Sequence, residues 1–116
     1  MAADLYCKVY LKGPEPDPSR PAMQAALIAA VGGRFENRTL RAKGLVIDLI
    51  PNTDGRGEAD FIGWPFYLEV NAEPEVVQET HFVAALRELL AGLRAQSIQV
   101  VPSCDFEDQL EEFSCP

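Results

Sequence analysis

The sequence predicts a single α+β domain in which two helices cover one face of an antiparallel sheet. Short segments with an apolar residue at every second position predict strands that bury one face. Two longer segments carry apolar residues at the three- and four-residue spacing of amphipathic helices. With 116 residues, 47% of them hydrophobic and 24% charged, the chain has the size and composition of one globular domain.

The N-terminal third predicts a strand, a loop and a helix. Apolar and polar residues alternate over residues 5–12, and three prolines make the segment 13–18 a stiff loop. Ser19 is suited to cap a helix whose apolar stripe lies in residues 23–31, and Gly32 is suited to end it. Because this stripe is rich in alanine, we expect the helix to lie close to the element it packs against.

The rest of the chain predicts four more strands and one helix. The strands cover residues 34–41, 45–50, 66–71 and 98–102. The first two of these form a hairpin, and the loop 51–63 is long for a compact domain, as functional or disordered segments often are. The second helix begins between Glu75 and Thr80 and has its apolar stripe in residues 82–93. His81 falls off this stripe and is expected to face solvent.

The predicted order is strand, helix, three strands, helix, strand, and the nearest named architecture is the ferredoxin-like two-layer sandwich with about five strands. Right-handed crossovers place both helices on the same face of the sheet. We take residues 1–103 as the α+β domain and residues 104–116 as an acidic C-terminal tail packed on or near it.

The tail carries most of the chain's excess charge. Eighteen acidic residues stand against ten basic ones, a net charge of −8, so we expect no nucleic-acid partner. The five tail acids are Asp105, Glu107, Asp108, Glu111 and Glu112. Phe106, Leu110 and Phe113 are spaced by four and three, which suits a short helix held to the domain by one face. The tail is either a solvated, charged C-terminal turn or a surface that binds a basic partner.

The cellular location of the protein and the oxidation state of its cysteines are predicted from sequence features that are missing. No apolar run approaches the ~18 residues of a membrane span, and the first residues show no export signal. We therefore expect a cytoplasmic protein with no membrane partner, in which Cys7, Cys104 and Cys115 are reduced thiols. Pairing of Cys104 with Cys115 stays open, since it requires the tail to fold back.

Enzyme motifs are missing from the sequence, which contains no nucleophile elbow, phosphate-binding loop, dinucleotide fingerprint or zinc-protease motif. Its single histidine, His81, is expected to point away from the cysteines. Asp48 and Glu69, on neighbouring predicted strands, could hold a divalent cation, but Asn71 replaces the lysine that such nuclease sites usually carry. We predict a non-enzymatic protein with no catalytic residue, cofactor or bound metal.

Aromatic residues mark the exposed face of the predicted sheet. Tyr6, Lys8 and Tyr10 alternate with the buried positions of the first strand, and Tyr67 is expected beside them. Such residues form either ordinary cross-strand pairs or a protein interface. RNA-binding sheets also use aromatic residues, but the signature of that family is missing here.

Three segments, Pro65–Val70, Phe82–Leu93 and Val100–Asp108, resemble those of small acidic bacterial proteins, some of which are immunity proteins of toxin systems. The resemblance implies a protein that binds and blocks a cognate toxin. In this hypothesis the five tail acids occupy basic groups of a toxin domain, and Tyr6, Tyr10 and Trp64 anchor the interface. The alternative is a small-molecule-binding or regulatory ferredoxin-like domain that acts as a homodimer.

Overall fold

A computed structural model describes residues 5–13, 19–52, 64–75, 78–104 and 106–113, and in these residues it confirms the α+β class. The strands are β1 (Tyr6–Lys12), β2 (Phe35–Glu36), β3 (Thr39–Ala42), β4 (Leu45–Pro51), β5 (Phe66–Ala72) and β6 (Gln99–Ser103). The helices are α1 (Arg20–Val31) and α2 (Glu79–Arg94). The predicted loop segments 14–18 and 53–63, and Cys115, lie outside the described residues.

The described sheet has six strands, whereas the sequence predicts about five. The predicted arm 34–41 is divided by a turn at Asn37 and Arg38 into β2 and β3, which pair with each other. Asn37 has a φ of +58°, in the left-handed region that asparagine enters more easily than most residues. The turn therefore forms where the sequence shows no glycine.

The six strands form one antiparallel sheet in the order β2-β3-β4-β5-β1-β6. Alternate residues of β1, β4 and β5 are buried, and these side chains join the buried residues of both helices in one hydrophobic core. Both helices therefore pack on the same face of the sheet, as predicted. The other face carries the half-buried alternate residues.

Helices α1 and α2 approach each other closely. A Cβ atom built on Gly92 would lie 2.8 Å from Cβ of Ala30, so the contact requires glycine in α2. Gln96 joins the two helices, because its Nε2 donates to the carbonyl oxygens of Ala26 at 2.9 Å and Gly92 at 3.1 Å. The expected close packing of the alanine-rich stripe is confirmed.

Helix α1 begins and ends at the capping residues that the sequence indicates. Ser19 caps α1 as predicted, since its Oγ accepts a hydrogen bond from the N–H of Ala22, and Gly32 ends the helix with a φ of +81°. Helix α2 ends in a Schellman turn, in which Ser97 and Ile98 donate to the carbonyl oxygens of Arg94 and Leu93. In the part of the chain that the structure describes, neither helix is long and apolar enough to cross a membrane.

The C-terminal segment returns across the helix layer. After β6, it forms two short 3₁₀ helices, Glu107–Gln109 and Glu111–Phe113. The three apolar residues singled out in the sequence, Phe106, Leu110 and Phe113, are buried in the same core as the sheet and helices. The ring of Phe106 meets that of Phe82 on α2 edge to face, with centroids 5.6 Å apart.

Candidate functional site

The described site residues predicted from the sequence lie on separate surfaces. Tyr6 and Tyr10 lie on the sheet face opposite the helices, which we call the tyrosine face and define by Tyr6, Tyr10 and Tyr67. Asp108, Glu111 and Glu112 lie beside helix α2, on the helix layer. The sheet thus separates the two tyrosine anchors from these acids, and one flat interface does not contain both sets.

The tyrosine face is organised around Lys8. Its Nζ lies 4.3 Å from the ring centroid of Tyr67 and 5.0 Å from that of Tyr10, both within cation–π range. The two tyrosine rings are tilted against each other, with centroids 6.1 Å apart. The aromatic neighbours expected from the sequence, Tyr10 and Tyr67, therefore form one cross-strand cluster around Lys8.

A row of polar residues crosses the same face. In the register of the sheet, Thr39 is opposite Asp48, Asp48 opposite Glu69, and Glu69 opposite Lys8. The Thr39 hydroxyl donates to Oδ1 of Asp48 in a short hydrogen bond. The two carboxylates that were candidates for a metal site are thus cross-strand partners. The described residues contain no group of three histidine, cysteine, aspartate or glutamate residues placed to bind an ion.

The pKa values of two residues on this face are shifted. Burial raises the pKa of Tyr6 above its ordinary value of 10.0, and the nearby negative charge of Glu69 raises it further. Burial lowers the pKa of Lys8, but a hydrogen bond to Tyr10 and the electrostatic effect of the neighbouring tyrosines outweigh it, so this pKa is raised. Both groups keep their protons to higher pH than they would in an unfolded chain.

The tail is attached to α2 by two arginines. Arg94 donates from Nη1 to the carbonyl oxygen of Glu112 at 2.8 Å, and its guanidinium lies 5.3 Å from the ring centroid of Phe113. Arg87 forms an ion pair with the Glu112 carboxylate and a longer hydrogen bond to the carbonyl oxygen of Gln109. The charge of Glu112 is therefore partly compensated within the molecule.

Three of the predicted tail acids line one open depression of about 510 Å³, which we call the acidic depression. Its walls are formed by Asp108, Glu111, Glu112, Gln109 and Arg87. The three acids are exposed, and Arg87 is the one cation among these five residues. Asp105 and the side chain of Glu107 lie outside the described residues, so their part in this surface stays a prediction.

Trp64 belongs neither to the tyrosine face nor to the acidic depression. It is only 8% exposed, so little of its ring is available to a partner protein. Together with the end of α2, strand β6 and the tail, it lines a cavity of about 320 Å³, which we call the β6-edge cavity. The lining residues are Trp64, Arg94, Ser97, Ile98, Gln99, Val100, Val101, Glu112 and Phe113.

Sequence reasoning missed the two arginines that hold the tail. Arg87 and Arg94 are seven residues apart, so they lie on one side of α2, two turns from each other. That spacing was a signal for a basic strip suited to an acidic segment. His81 is exposed on α2, as predicted, and Cys7 is buried in the core.

The chain was compared with models of protein families, with curated proteins and with solved structures, and none of the three comparisons gives a match.

Proposed function

We propose that this protein is a non-enzymatic binding domain that captures a basic protein partner through the acidic depression, as an immunity-type inhibitor captures its toxin. The observation that carries the proposal is the convergence of Asp108, Glu111 and Glu112 on one concave, exposed surface. A concave surface with charge of one sign concentrates its electric field and speeds the encounter with an oppositely charged partner.

The anchoring of the tail supports this proposal. Phe106, Leu110 and Phe113 are buried on one side of the segment, and Arg94 holds its backbone through the Glu112 carbonyl oxygen. A surface that is already ordered loses less conformational entropy when it binds than a disordered acidic tail would lose. The acids are therefore presented at fixed positions to a partner's basic groups.

Charge reversal in the depression tests the proposal. The binding partner is the toxin domain that we expect to be encoded next to the gene for this protein. The measured quantity is the dissociation constant at low and at physiological salt. In the double variant Asp108→Lys and Glu111→Lys, we expect binding at least about tenfold weaker and a smaller dependence on salt, because complementary charges become repulsive.

A matched control reverses two exposed acids elsewhere, Glu36 on β2 and Glu75 before α2. This control changes the net charge by the same amount and should leave the affinity nearly unchanged. Equal losses in the two double variants would show that only net charge matters. Unchanged affinity in the depression variant would remove the tail from the interface.

The alternative function, a small-molecule-binding or regulatory domain that acts as a homodimer, has one supporting observation, the β6-edge cavity. Sedimentation of the purified chain tests whether it forms the homodimer that the alternative function requires. A dimer that persists at micromolar concentration favours the alternative, and a monomer that binds a basic protein favours the inhibitor.

We also propose the ferredoxin-like architecture for this fold. It is supported by the order β6-β1-β5-β4 in the described sheet, where the first strand lies between the last strand and the strand that precedes α2. In this description β2 and β3 are an added hairpin at one edge of the sheet.

A further inference from the structure

The β6-edge cavity combines apolar walls with one cationic group. Five of its residues are buried and apolar, namely Trp64, Ile98, Val100, Val101 and Phe113. At about 320 Å³, it lies at the lower end of the range of ~300–1,000 Å³ for small-molecule pockets. Its size and lining therefore suit a small ligand with a compact apolar body.

Arg94 is the cationic group of this cavity. Its position is fixed by the hydrogen bond to the Glu112 carbonyl oxygen at 2.8 Å and by its packing over Phe113. Within the described residues, no carboxylate lies within ion-pair distance of Arg94, in contrast to Arg41, Lys43 and Arg87. The guanidinium still has donors to spare, since it carries five N–H groups.

The other charged residue of the cavity, Glu112, does not cancel this cation. Its carboxylate forms an ion pair with Arg87, and only its carbonyl oxygen accepts from Arg94. Among the residues that line the cavity Arg94 is the cation, and the charge of the acid, Glu112, is partly compensated by Arg87, which lies outside the cavity. Arg94 is therefore the charged group with which an anionic ligand in this cavity would interact.

The edge strand supplies a second hydrogen-bonding group. The N–H of Ala72 donates to the carbonyl oxygen of Leu5, so odd-numbered residues of β1 turn their backbone groups toward β5 and even-numbered ones toward β6. Val100 is opposite Leu11, and its N–H therefore points away from the sheet at the edge. Within the described residues this N–H donates to no acceptor.

We propose that the β6-edge cavity binds a small organic anion, in which a ring system lies against Trp64 and Phe113 and a carboxylate is bound by Arg94. A planar guanidinium binds a carboxylate through paired hydrogen bonds, and the edge N–H of Val100 is a further donor. Glu112 lines both this cavity and the acidic depression, but the ligand's carboxylate is bound by Arg94, so this proposal does not depend on the protein-binding proposal.

The fluorescence of Trp64 tests the proposal directly, because Trp64 is the chain's single tryptophan. The full chain is titrated with 1-naphthoate and, separately, with 1-naphthamide, which has the same ring system but no charge. We expect saturable quenching by naphthoate at submillimolar concentration and binding of the amide at least about tenfold weaker, since hydrogen bonds between charged groups are stronger.

Three variants locate the site. Arg94→Gln should bind naphthoate about as weakly as the wild type binds the amide, whereas Arg94→Lys should keep most of the preference for the anion. Arg38→Gln is the matched control, because Arg38 is an exposed arginine in the turn between β2 and β3, at the other edge of the sheet. It should bind naphthoate like the wild type.

Two results would overturn the proposal: no saturable quenching by naphthoate up to millimolar concentration, or equal affinity for naphthoate and naphthamide in the wild type. Neither depends on whether a variant folds. The variant Asp108→Lys and Glu111→Lys should still bind naphthoate, so failure of the protein-binding proposal and failure of the ligand site are separate outcomes.

Discussion

Lys8 occupies the centre of the tyrosine face and connects two kinds of interaction there. Its ammonium group lies over the rings of Tyr10 and Tyr67, while Glu69 is its partner in the register of the sheet. The negative charge of Glu69 also acts on Tyr6, in the next row of the same face. A change in one of these five residues therefore affects its neighbours on the tyrosine face.

The raised pKa values of Tyr6 and Lys8 predict a loss of stability at alkaline pH. Both groups lose their protons more readily in the unfolded chain, so the folded chain binds more protons and its stability falls as pH rises above about 10. The variant Tyr6→Phe cannot lose a proton at this position, and we expect its stability to fall less steeply through this range.

The measurement is urea unfolding of both proteins from pH 8 to pH 11. At pH 8 Tyr6 is protonated in both states, so the pH-dependent difference between the two proteins should appear only above about pH 10. Parallel loss of stability in the wild type and in Tyr6→Phe would contradict the assigned role of Tyr6.

At the scale of elements, the contact between α1 and α2 depends on one glycine. Gly92 lies in the last turn of α2, and inside a helix glycine costs about 1 kcal/mol relative to alanine. The structure explains its presence, because the added Cβ would meet both Cβ and Cα of Ala30 at less than 3.0 Å. Close approach of the two helix backbones offsets the lower helix propensity.

Replacing Gly92 by valine should force the helices apart. We expect Gly92→Val to lower the free energy of unfolding by about 1–3 kcal/mol, as overpacked cores do. The control is Ala91→Val, at an exposed neighbouring position of α2, which should cost only about 0.6 kcal/mol through helix propensity. Similar losses in the two variants, measured by urea unfolding, would show that the helix contact is loose.

The elements that could be predicted are those in which buried residues recur at a regular spacing along the sequence. Strands β1, β4 and β5 lie within one residue of the predicted bounds, because alternate residues of each are buried. The arm 34–41 could not be resolved into β2 and β3, since Glu36, Asn37 and Arg38 show no period and the turn depends on one residue's backbone conformation.

The candidate site was less predictable than the fold for a physical reason. The spacing of Phe106, Leu110 and Phe113 indicates that one side of the tail is buried, and it is. Which surface receives that side depends on where the chain returns after β6, and local periodicity does not contain this information. The ion pair between Arg87 and Glu112 and the position of Trp64 in a cavity therefore emerged only from the structure.

At the scale of the whole molecule, the C-terminal segment completes the core. Phe106 is only 2% exposed, and its ring packs against Phe82, a residue that is itself fully buried on α2. Without the segment, the apolar side of α2 near β6 would be in contact with water. The acidic depression and the β6-edge cavity both use residues of this segment, so the proposed binding surfaces and the stability of the fold are coupled.

The variant Phe106→Ala measures this coupling. We expect it to lower the free energy of unfolding by about 3–5 kcal/mol, the cost of replacing a buried phenylalanine, which is a large part of the ~5–15 kcal/mol that stabilises a typical domain. Glu111→Ala, an exposed change in the same segment, should alter stability by less than about 0.5 kcal/mol. Urea unfolding followed by circular dichroism compares the two, and a loss below about 1 kcal/mol in Phe106→Ala would mean that the domain holds together without this segment. In that case, the acids of the depression would be presented by a loosely attached tail, and their fixed arrangement could not support the proposed capture of a basic partner.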